Sequence, residues 1–142
     1  MSALESEFLR AFRVVFEQGN RAWNAGDVKT AYAALPDQLE YRLAPTWPES
    51  RVLRSRDEVI KFFEGFQQTF PDARTESHEY LEGDETVVAG FRVTGTGRTS
   101  GAEAAMQIWQ VWEVRDHDGL TVTSVTEFTD RRDALEAAGV SE

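Results

Sequence analysis

Glu127 breaks an alternating series, Val125, Glu127, Thr129, whose other members are apolar or small. If that face of the strand looks inward, burial raises the carboxyl pKa and creates a general acid or base for use near neutral pH. In the alternative arrangement it faces solvent or a partner subunit and pairs with an arginine; a one-residue bulge exchanges the two. Gln110 and Trp112 share strand parity with Met106, Ile108 and Val114, which places them on an apolar interior face. There Gln110 either orients a ligand carbonyl or hydroxyl or satisfies a buried backbone group. Tyr41 completes the set. With Gln110 it would orient a ligand or stabilise a developing oxyanion while Glu127 moves the proton.

Other chemistries find less support. His78 shares the polar side of its strand with Arg74, Glu76 and Tyr80, which suits a surface or interface position better than a base. His117 sits in the turn Asp116-His117-Asp118-Gly119. Neither histidine has metal-ligand spacing to a carboxylate, so no metal is expected, and no cofactor is implied. The glycines of Gly95-x-Gly97 and Thr99-x-Gly101 mark a hairpin and a bulge, because no helix follows and no Lys-Ser or Lys-Thr pair is present. Without cysteine there is no disulfide, thiolate nucleophile or Cys zinc site. A formal charge of −10, from 15 basic and 25 acidic residues, repels nucleic-acid and lipid phosphates. Nucleic acid and membrane are therefore not expected as partners.

The elements that must hold these side chains are legible as hydrophobic periods. Leu4, Phe8, Phe12, Val15, Phe16 and Trp23 form one stripe of a helix from about Ala3 to Ala25, ended by Gly26. Asp27 caps a short second helix with Val28, Ala31, Tyr32 and Leu35, stopped by Pro36. Leu39, Tyr41 and Leu43 alternate with Glu40 and Arg42 as a half-buried strand, and the Pro-rich loop Ala44 to Glu49 carries Trp47 as a lid. Ser55-Arg56-Asp57-Glu58 is a capping box opening a third helix, whose apolar positions are Val59, Phe62, Phe63, Phe66 and Phe70 and which ends near Thr69. From Ala73 the period becomes two. Strands are predicted over Arg74 to Leu81, Thr86 to Gly97, Glu103 to Arg115 and Leu120 to Thr129, joined as consecutive antiparallel hairpins. Asp130 caps a final helical turn through Ala138, with Gly139 just past its end.

Helices segregated from a mainly antiparallel sheet define the α+β class, and 142 residues make one domain. Three helices cover only part of a long twisted sheet, so the expected architecture is a curved sheet wrapped into a cone with an internal pocket. Trp23, Tyr32, Tyr41, Trp47, Phe63, Phe66 and Trp112 are its expected lining, and most of them double as core.

The chain resembles the SnoaL-like branch of the nuclear transport factor 2-like superfamily over nearly its whole length. The resemblance rests on Trp23-Asn24-Ala25-Gly26-Asp27, the segment Ser55 to Phe63, the Phe70-Pro71-Asp72 turn, the hairpin Gly95 to Gly101, and Glu127-Phe128-Thr129-Asp130 leading into Ala134 to Gly139. It implies a cone-shaped fold, a mostly apolar pocket at the open end and a homodimer formed through the sheet. The ketosteroid isomerase residues do not carry over: Gly19 stands where its tyrosine would be, and Arg42 or Ala44 where its carboxylate base would be. The Asp-Arg-Asp set of limonene epoxide hydrolase finds only Arg42, Arg92 and Glu127 as candidates.

Two functions follow as expectations. One is a cofactor-independent enzyme using proton transfer on a hydrophobic carbonyl or hydroxyl compound of polyketide or steroid type. The other is a non-catalytic ligand-binding or dimerisation module, and in both the expected partner is a hydrophobic small molecule. Trp109 and Val111, on the presumed outer face, are the expected dimer contacts. The acidic, amphipathic start MSALESEFLRAF is unlike a secretion signal, so a cytoplasmic location is expected.

Overall fold

A computed structural model describes residues 6–47, 49–97, 100–116 and 121–141. The expected helix start at Ala3 and Leu4, Thr99 of the glycine hairpin, the His117 turn and the strand start at Leu120 lie outside the described residues.

Ser6 caps α1 (Glu7–Asn24), its Oγ accepting from the Leu9 N–H at 2.9 Å, and Asp27 caps the single turn α2 (Val28–Ala31). After β1 (Gln38–Arg42) comes a four-residue strand that periodicity did not predict, β2 (Val52–Ser55), antiparallel to β1 with Tyr41 opposite Leu53. So short a segment shows no alternation, and its last residue doubles as the next helix cap. In α3 (Arg56–Thr69) the Ser55 Oγ accepts from the Glu58 N–H at 3.1 Å. The Glu58 carboxylate takes the Arg54 N–H, one residue earlier than the capping box predicts.

The four long strands β3 (Arg74–Gly83), β4 (Thr86–Thr96), β5 (Glu103–Asp116) and β6 (Thr121–Phe128) pair as consecutive antiparallel neighbours, as expected. The sheet order is β2-β1-β6-β5-β4-β3, and β1 with β6 is the parallel pair. Asp130 caps α4 (Arg131–Ala138), and Gly139 closes it in the left-handed region at φ 71°, where a Cβ would be strained. The result is an α+β cone: a curved sheet with α1, α2 and α3 on its concave side and α4 on its back.

Two face assignments differ from the alternation rule. β3 carries a bulge between Ser77 and Glu79, so His78 has no partner on β4 and parity reverses beyond it. Arg74, Glu76 and His78 are exposed on the back, whereas Tyr80 turns inward to pack edge-on against Phe12 at 6.5 Å and Phe16 at 5.7 Å. Val111, expected as a dimer contact, is buried at 4% exposure because α4 packs on it through Ala134, Leu135 and Ala138. Trp109 lies beside that cluster, half-buried, with its Nε1 donating to Glu79 Oε1 at 2.9 Å.

Gly90 sits under this indole: a Cβ there would lie 2.8 Å from Trp109 Nε1 and 2.9 Å from His78 Cε1. Gly90→Ala is expected to lift the ring off Glu79 and to cost about 1–2 kcal/mol of stability, read as a lower urea midpoint at unchanged slope. A variant as stable as the parent would show that the indole is not seated on the strand. Among the described residues no helix is long and apolar enough to cross a membrane.

Candidate functional site

The helices leave the middle of the concave face uncovered. A cavity of about 220 Å³ lies there, between α1, α2 and strands β3 to β6, partly open to solvent. Phe16 packs against Phe91 at 6.1 Å and Trp112 at 6.0 Å, and Trp23 and Tyr32 also form part of the wall. Val15 stands in the lining while 41% exposed, which puts it at the rim. Asn20, Thr75 and Gln110 are the polar side chains of the wall apart from the aromatic N–H and O–H groups, and no charged side chain joins them among the described residues.

Gln110 reaches this wall from a regular stretch of β5, directly opposite Glu127 on β6. Both are buried, at 4% and 5% exposure. Gln110 Nε2 donates to the Tyr41 hydroxyl at 2.6 Å and to Glu127 Oε2 at 2.8 Å, while its Oε1 accepts from Trp112 Nε1 at 2.9 Å. All three partners are side chains, so the expected alternative role of satisfying a buried backbone group does not apply. The orientation of the amide is dictated by these neighbours. Reversed, it would set oxygen against carboxylate and N–H₂ against indole N–H.

Glu127 receives two further donors on its other oxygen, the Ala44 N–H at 3.0 Å and Trp47 Nε1 at 2.5 Å, and the Tyr41 hydroxyl donates to Oε2 at 3.1 Å. Four donors thus occupy the roughly four lone-pair sites of one carboxylate. Burial pushes the carboxyl pKa up, and the hydrogen bonds from Gln110, Ala44, Trp47 and Tyr41 hold it down. Burial, then the Glu127 charge, raises the phenols of Tyr41 and Tyr32 well above their ordinary value.

The expected site residues therefore separate into two layers. Trp23, Tyr32, Gln110 and Trp112 face the cavity, whereas Glu127, Tyr41, Trp47, Phe63 and Phe66 stand behind its wall. Phe63 is stacked under Tyr32 at 5.3 Å, and Trp47 meets the edges of Phe63 at 5.2 Å and Phe66 at 4.8 Å. Arg42 pairs with Glu40 in solvent and Arg92 is exposed on the back of the sheet, so neither converges on Glu127. Among the described residues no group of three or more His, Asp or Glu is placed to hold a metal ion.

Asn20, Thr75, Phe16 and Phe91 are wall residues that the reading of candidate site residues missed. Asn20 had a signal: it falls four residues after Phe16 and three before Trp23, a polar residue inside the apolar stripe of α1. Its Nδ2 donates to Ser77 Oγ at 2.5 Å and its Oδ1 accepts from Thr75 Oγ1 at 3.1 Å, which ties α1 to β3 beside the cavity.

A family model described as SnoaL-like domain matches residues 16–123. No curated protein matches the chain in sequence. Similar solved structures include Bal32a from a soil-derived mobile gene cassette, at 15% identity and TM-score 0.73, covering 93% of this chain and 98% of that one. A nuclear transport factor 2-like protein from Anabaena variabilis is 16% identical at TM-score 0.70, covering 92% and 95% of the two chains. SalBIII, an epoxide hydrolase/cyclase-like enzyme of pyran ring formation in polyether salinomycin, is 13% identical at TM-score 0.68, covering 87% and 94%.

Proposed function

The chain belongs to the SnoaL-like domain family, and from that premise we propose that it binds a small, mainly apolar molecule in the cavity of the concave face. The fold alone does not choose among the activities such domains host. The observation that carries the reading is the wall itself: an aromatic, uncharged enclosure with a few convergent polar groups, Gln110 among them held rigidly from behind. That is the chemistry of a ligand pocket.

Titration with neutral indane tests it. One saturable site is expected, and Ala31→Leu should abolish it, because Ala31 lines the cavity and the larger side chain fills it. Far-UV circular dichroism confirms that the variant is folded. No saturable site in the parent, or an unaltered one in the folded variant, would sink the proposal.

One observation favours acid–base catalysis as a second reading. Glu127 is buried with a raised pKa, and among the described residues only Gln110 of its hydrogen-bond partners lines the cavity. In that reading Gln110 swings off Tyr41 and Glu127 when substrate enters, and the carboxyl exchanges a proton with it. The sign of the pKa shift ties any such turnover to a pH limb above the ordinary carboxylate range, which Glu127→Gln would erase. The filled lone pairs of Glu127 make simple binding the better supported of the two.

A further inference from the structure

We infer that the cavity selects a neutral one- or two-ring compound carrying a hydroxyl or N–H group, which donates to Gln110 Oε1. This rests on the cavity being the binding site and adds the class of molecule it takes.

The polarity follows from the amide orientation. The nitrogen end of Gln110 is spent on Tyr41 and Glu127, neither of which lines the cavity. The oxygen end lies on the Trp112 side, which does. A carbonyl oxygen has two lone pairs, and among the described residues Gln110 Oε1 accepts a single hydrogen bond, from Trp112. The cavity therefore shows a ligand an unused acceptor. A hydroxyl or N–H satisfies it; a ligand carbonyl would set oxygen against oxygen. Of the two ligand groups the sequence allows, the network selects the hydroxyl.

Charge and size narrow the class further. No cationic side chain lines the wall among the described residues, so a carboxylate ligand would enter unpaired, close to the buried Glu127. An apolar cavity of about 150 Å³ holds benzene, with its six heavy atoms. By proportion the 220 Å³ here suits about nine heavy atoms, or slightly more where the open side lets the ligand protrude. Four fused rings do not fit inside.

Equilibrium dialysis of four probes tests each element: indan-5-ol, its isostere 5-methylindane, indane-5-carboxylate, and estradiol, a four-ring phenol. Indan-5-ol is expected to bind about tenfold more tightly than 5-methylindane, the upper end of the net worth of one neutral hydrogen bond. The carboxylate and estradiol should each bind more weakly than indan-5-ol. Equal affinity for indan-5-ol and 5-methylindane overturns the donor rule while leaving the cavity as a binding site. Estradiol or the carboxylate binding as well as indan-5-ol overturns the size or charge limit. Binding of none of the four, or binding that Ala31→Leu does not reduce, overturns the cavity reading and the inference with it.

Discussion

Glu127→Leu is expected to lose about 3 kcal/mol of unfolding free energy, because it takes the acceptor from the Ala44 N–H, Trp47 Nε1, the Tyr41 hydroxyl and one Gln110 N–H. Each buried unpaired donor costs about 1–3 kcal/mol, and relief from burying a carboxylate returns part of the sum. Glu127→Gln should lose less, about 1–2 kcal/mol. Its oxygen can serve Ala44 and Trp47, and the Tyr41 hydroxyl can rotate to accept, but its N–H₂ then faces the N–H₂ of Gln110. Urea denaturation of the three proteins measures the order. A leucine variant as stable as the parent would mean that water reaches these donors, and that the site behind the wall is wet.

The same residue sets a pH dependence whose sign is fixed. The folded state holds the Glu127 proton more tightly than the unfolded chain, so the folded protein binds more protons in the window between the two pKa values. Stability therefore falls as pH rises from the ordinary carboxylate value, about 4.3, through the higher folded value, and is level beyond it. Glu79 works in the opposite direction, since Arg131 holds its carboxyl below the ordinary value. Subtracting the Glu127→Gln curve from that of the parent removes such contributions from elsewhere. The difference should decline with pH over that window. A flat difference would place Glu127 in ordinary carboxylate surroundings.

The elements were legible because they are long and regular. Four strands, three capped helices and the glycine terminus of the last helix follow from periods and caps that local sequence determines. The partnership of Gln110 with Glu127 was half legible: parity placed Gln110 inward and left both faces open for Glu127, and only the register of β5 against β6 makes them opposite. Tyr80 shows where such reasoning stops. A bulge at His78 costs one residue and leaves no mark in an alternating sequence, yet it moves the tyrosine from the back of the sheet to the cluster around Phe12. Val111 shows another boundary, because a helix of eight residues from the far end of the chain decides whether that face is surface or core. Two-layer depth is the least visible property. Aromatic residues that line a cavity and those one layer behind it carry the same period and composition.

Trp47 is the case in which this matters most, and Trp47→Ala is expected to cost about 4 kcal/mol, the value of a large aromatic removed from a packed core. Read from its Pro-rich loop, it is a lid. In the structure it is 3% exposed, wedged among Phe62, Phe63 and Phe66, and its indole donates to Glu127. Trp47→Phe keeps most of the ring contact and removes the donor, so about half of that loss should return. Ligand affinity separates a plug from a lid. A plug lies outside the cavity wall and reaches Gln110 only through Glu127, so Trp47→Phe should change the affinity for indan-5-ol by no more than about two- to threefold, the low end of coupling within one hydrogen-bond network. A lid would instead release the ligand faster and weaken binding in step with the lost hydrogen bond. Measured together, stability and affinity in this one variant show whether the loop closes the cone permanently or opens with each ligand.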